Sequence, residues 1–134
     1  MTALERFLSE RAKIQTALES AGLATIQFNK DDVPRALPAA IVTLTQENGK
    51  NGTSRRYVDT DLFFTVFLVV NAQNVLDPDT ALYTLKEAFR SAWQTAAGKD
   101  FHQIDYYTSR LDGSRLVRIA KIDLTKPTLA GGPA

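Results

Sequence analysis

Asp59 and Asp61 stand two residues apart in a stretch that reads as a β-strand, which puts both carboxylates on one face. Such a pair could share a divalent cation. A hard ion takes about six or more oxygen ligands, or carboxylates together with phosphate, and nothing nearby completes that set. Two solvated carboxylates are the plainer reading. Gly49-Lys50-Asn51-Gly52-Thr53-Ser54 has the composition of a phosphate loop. A P-loop, however, places Lys directly after its second Gly and opens a helix whose N–H groups meet the phosphate. Here Lys50 precedes Gly52 and a strand follows, so the match is rejected. Asn51-Gly52-Thr53 fits a glycosylation acceptor, which has meaning only in a secreted chain. His102 is the single histidine. A nucleophile–base arrangement would need Ser109 or Ser114 beside it and an orienting acid such as Asp105. All of these belong to one hairpin, and their spacing does not bring them together. The residues thus assemble no catalytic set, no metal site and no cofactor site.

Two basic clusters remain. Lys50, Arg55 and Arg56 form one, and Arg110, Arg115, Arg118 and Lys121 the other. The formal net charge is only +1. Tyr106 and Tyr107 are adjacent, so on a strand they face opposite sides and build no stacking platform. Specific nucleic-acid recognition is not expected. The clusters read as solvated faces, or as charge that complements a neighbouring subunit and sets register. Tyr83 falls with Glu87 and Arg90 on the polar side of its helix, a surface tyrosine or a small interface feature.

The elements that hold these residues follow from periodicity. Residues 2–21 read as a helix, with Thr2 and Glu5 at capping-box spacing and Gly22 suited to the position after the C-cap. Leu4, Phe7, Leu8, Ile14, Leu18 and Ala21 share one face. Arg11 lies inside that arc, either snorkelling at the core edge or meeting a partner subunit. Leu23–Asn29 alternates as a short strand, and Asp31 to Pro38 is a proline-bearing connection. Ala39–Gln46 is a β-branched strand. Glu47–Arg56 is a polar loop with two Asn-Gly turn signals, and Tyr57–Asn71 is a long central strand. Val58, Thr60, Leu62, Phe64, Val66, Leu68 and Val70 share its even face. Its second half is apolar on both faces. Fully extended it spans ~45–50 Å at ~3.3 Å per residue, so its first half is expected to project as a hairpin arm.

Asp77-Pro78 then starts a helix over 78–97, with Leu82, Leu85, Phe89, Ala92, Trp93 and Ala96 as its apolar stripe and Gly98 as its stop. Phe101–Arg110 and Arg115–Leu124 are strands joined around Asp112-Gly113. A chain of 134 residues with 44% hydrophobic residues supports one domain. We expect an α+β two-layer domain over 1–125, with an irregular tail over 126–134. The order is α-β-β-β-α-β-β, an antiparallel sheet carrying both helices on one face. The absence of cysteine excludes disulfides and fits a reducing compartment. The first residues do not read as a signal peptide, and no apolar run is long enough to span a bilayer as a helix.

The arrangement resembles the tail terminator proteins of long-tailed phages. The likeness covers about residues 3–125 and rests on order and texture. It runs from the first helix through Thr25-Ile26-Gln27-Phe28 and the stretch Asp31-Asp32-Val33-Pro34, and on through Leu37 to Thr45. Asp61 to Leu68, the break Asn71–Pro78, the Trp-containing helix and the closing hairpin complete it. The resemblance implies a non-enzymatic virion-assembly protein. It would form a homo-hexameric ring that caps the tail tube, stops tube polymerisation and offers a surface to the head-completion protein. It also implies residence in the bacterial cytoplasm during assembly and then in the virion tail. Arg11, Lys50, Asn51, Arg55, Arg56, Asp59, Asp61, Arg115 and Arg118 are the candidate contacts to subunit or tube. Glutamate at Lys50, Arg55 and Arg56 is expected to abolish capping and leave folding intact. The competing readings are another neck or head–tail connector protein, and a small ligand-binding regulatory α+β domain.

Overall fold

The computed structural model describes residues 2–48 and 61–125. Seven elements follow one another: α1 Ala3–Ser20, β1 Thr25–Gln27, β2 Ala39–Asn48, β3 Asp61–Asn71, α2 Pro78–Ala97, β4 Gln103–Leu111 and β5 Arg115–Asp123. The fold is α+β, two helices on a five-stranded mixed sheet of order β1-β2-β3-β5-β4.

Each helix begins and ends where local chemistry dictates. The Thr2 hydroxyl accepts the Glu5 N–H at 3.1 Å and so caps α1. The Asp77 carboxylate accepts the Thr80 N–H at 3.2 Å at the start of α2, and Pro78 takes the first helical position. Gly98 ends α2 at φ +71°, with its N–H on Gln94 O at 2.9 Å. The β4–β5 turn has positive φ at both Asp112 and Gly113, the backbone that a Asp-Gly pair accepts most readily.

β3 is the sheet's middle. It pairs antiparallel with β2 from Ala39↔Val69 to Asn48↔Asp61, and with β5 from Thr65↔Asp123 to Asn71↔Val117. Its even residues Phe64, Val66, Leu68 and Val70 meet both helices in the main core, with Ile14 and Leu18 of α1 and Leu82, Phe89 and Trp93 of α2. On the opposite face Ile41, Val69, Val117 and Ile119 form a second buried cluster, with Leu37, Phe67 and Leu111 packed against it. The second half of β3 is therefore buried on both faces, as its double apolar pattern requires. A register shift between Leu44 and Gln46 places Thr45 in a bulge. Its hydroxyl donates to Phe63 O at 2.9 Å, and the buried Thr65 hydroxyl donates to Asp123 Oδ1 at 2.9 Å.

Three expectations are corrected. The sheet is not wholly antiparallel, because β1 runs parallel to β2 in the register Thr25↔Ala39 to Gln27↔Ile41. The connection over 28–38 carries Asp31, Asp32, Pro34 and Pro38, which forbid a tight hairpin. It is long enough to return the chain to the same end of the sheet, as a parallel pair demands. In α1, Leu4 and Leu8 are 64% and 43% exposed rather than in the core. Ala96 is exposed, and α2 turns Lys86 inward. The outer part of the expected arm, residues 49–60, and the tail 126–134 lie outside the described residues.

Candidate subunit interface

Leu4, Leu8 and Arg11 follow one another along α1 at i, i+4 and i+7, one side of the helix. Leu18 continues that line one heptad beyond Arg11 and is buried, while the buried Ile14 and Ala17 are rotated progressively away from it. Leu4 shares a shallow groove with Phe7, Leu44 and Leu62, and Leu44 is itself 41% exposed. Arg11 sits at the other end of the strip. Its guanidinium lies 4.4 Å from the centroid of Phe28, beyond β1, and 5.1 Å from that of Phe7. Phe7 in turn stacks on Phe64 with ring centroids 5.8 Å apart. A cation held over aromatic faces thus links an exposed apolar strip to the core. Arg11 as a whole is half-buried.

The other candidates are scattered. Asp61 pairs with Asn48 at the base of the β2–β3 hairpin and lines a cleft with Arg6, Lys13 and Lys99. Arg115 is exposed at the start of β5, opposite Leu111. Arg115 and Asp61 sit at opposite ends of the sheet, ~40 Å apart at ~3.3 Å per residue along β3. Arg118 is taken up internally, with Nε 2.8 Å from Asp79 Oδ1 and an Nη1 donor on Thr108 Oγ1 at 3.2 Å. It ties the first turn of α2 to the sheet. Lys50, Asn51, Arg55, Arg56 and Asp59 lie outside the described residues.

The residues weighed for nucleophilic chemistry are not brought together. The His102 backbone N–H donates to the Asp123 backbone O at 2.9 Å just before β4. Ser109 is near the other end of that strand, and Ser114 is in the turn. Asp105 accepts from Gln103 Nε2 at 3.1 Å. Among the described residues no three His, Asp or Glu side chains gather as a metal set, and no helix is long and apolar enough to cross a membrane. Tyr107, on the sheet face away from the helices, has its phenol raised above the ordinary 10.0 by burial. Tyr83 lies under Lys86 rather than beside Arg90, with Nζ 3.5 Å from its ring centroid.

Sequence reasoning put Leu4 and Leu8 with the core-facing residues and weighed a partner contact only through Arg11; their exposure is what it missed. No protein-family model matches the chain, and no curated protein matches it.

Proposed function

We propose that the protein is an assembly subunit of the tail-terminator kind. In this reading copies close into a homo-hexameric ring that caps a tail tube, ends its polymerisation and presents a surface to a head-completion protein. The observation that carries the reading is the strip along α1. It sets Leu4 and Leu8 beside an arginine clamped between Phe7 and Phe28. Exposed apolar side chains around an Arg–aromatic centre match the composition of the buried middle of protein interfaces. A strip on one flank of the domain, meeting a different surface of the next copy, makes a heterologous contact, which closes into a ring when the rotation between copies closes. The basic residues Lys50, Arg55 and Arg56 belong to the proposed contact with the tube. Cytoplasmic assembly followed by residence in the virion tail goes with the same reading.

Sedimentation and electron microscopy test it. The protein should form six-fold rings at high concentration, and Leu8→Glu should leave monomers with an unchanged melting temperature. Tails assembled without the protein should overgrow. A chain that stays monomeric at all concentrations, with tails of normal length in its absence, would overturn the proposal.

A further inference from the structure

A cleft of about 330 Å³ opens between α1, the end of α2 and the start of β3. Arg6, Glu10 and Lys13 of α1, Asp61 of β3 and Lys99 after α2 supply its charges. Trp93 lines it as well. Trp93 is the only tryptophan of the chain and is 3% exposed, and its Nε1–H is buried with no hydrogen-bond partner among the described residues. A buried indole N–H ordinarily finds an acceptor, and leaving one unpaired costs about 1–3 kcal/mol. Its ring neighbour Phe89, at 6.5 Å, offers none.

The cleft is therefore rich in donors and short of acceptors. Glu10 is engaged with Lys13 at 3.7 Å. Three cations against two carboxylates leave one positive charge, so a ligand with a single negative charge balances the site and a dianion overshoots it. Ile14, Phe64 and Leu124 add an apolar lining, which suits a short hydrocarbon tail. Nε1 has no accessible surface, so reaching it requires movement, and the α1 side of the cleft is built of the long side chains Arg6, Glu10 and Lys13. The Lys13–Glu10 pair among them is more than a third exposed, and such pairs hold weakly.

We propose that this cleft binds a small organic monocarboxylate, one carboxylate oxygen accepting the Trp93 N–H while Lys99 neutralises the charge. The site is independent of the assembly reading and stands or falls separately from it.

The single indole gives a single indole cross-peak in a ¹H–¹⁵N spectrum, and so a direct reporter. Titration with sodium hexanoate should move that peak downfield to saturation and raise the melting temperature by mass action. Sodium chloride at equal ionic strength should do neither, and uncharged hexanamide should bind at least tenfold more weakly. Lys99→Gln, an exposed change that leaves the core untouched, should weaken hexanoate about tenfold, the loss of one charge-assisted contact. Trp93→Phe should abolish the thermal shift. An indole peak unmoved by hexanoate would overturn the proposal, as would equal responses to acid and amide. A peak that moves with protein concentration alone would also overturn it, by assigning the cleft to a carboxylate of a second copy.

Discussion

The Lys86 side chain is buried on α2's packed face, its ammonium included. The side chain is 2% exposed, with Nζ 3.3 Å from Glu87 Oε1 and 3.5 Å from the Tyr83 ring centroid. Its acidic partner is 41% exposed, so removing the lysine charge strands no buried anion. An apolar replacement of similar length then sheds desolvation and keeps the packing. Lys86→Met should melt at or above the parent temperature, whereas Lys86→Ala should lose about 2 kcal/mol or more through the cavity it leaves. Calorimetry of the pair separates charge from volume. Asp77 gives a second prediction. The Thr80 hydroxyl, then the Thr80 N–H, hold its carboxyl below the ordinary 3.8. A carboxylate depressed in the folded state stabilises above its unfolded pKa, and that stability fades as pH falls through the folded value. Asp77→Ala should lower the melting temperature at neutral pH. The gap to the parent should close as pH drops below about 4.

At the scale of elements, the ends of both helices were legible because they rest on local chemistry. Thr2, Asp77, Pro78 and Gly98 act through neighbours within one turn. Gly98 shows how cleanly. It holds φ +71°, and a Cβ built there would meet nothing within 4 Å. Gly98→Ala should therefore destabilise by about 1 kcal/mol through backbone strain alone, visible as a lower denaturant midpoint at constant slope. What a sequence leaves open is which part of a broad apolar arc faces the core. Leu4 and Leu8 belong to α1's arc as surely as Ile14 and Leu18, yet only the latter two meet the sheet. Lys86 was hidden for the opposite reason: a charged residue in a core stripe breaks the pattern unless its head finds partners, which depends on Tyr83 and Glu87 in three dimensions. The direction of β1 was equally out of reach, since Thr25–Gln27 would read the same paired either way. The Trp93 cleft depends on α1, α2 and β3 meeting, and no local spacing announces it.

On the scale of the whole molecule, β3 joins two halves. One partner, β2, precedes it directly, while the other, β5, lies beyond α2 and β4. The Thr65–Asp123 hydrogen bond spans 58 residues. A chain ending at Gly98 would keep both helices and the β2–β3 pair but expose one whole edge and face of β3. It should show no cooperative thermal transition by circular dichroism, because Val66 and Leu68 would lose Ile122 and Ala120. The same connectivity has a consequence during synthesis. Closing so long a loop is slow, and the middle of the sheet stays half-paired until residue 123 leaves the ribosome. Through that interval the nascent polypeptide presents a sticky, strand-ready edge, so it is a natural client for chaperones that shield apolar stretches until translation has passed β5.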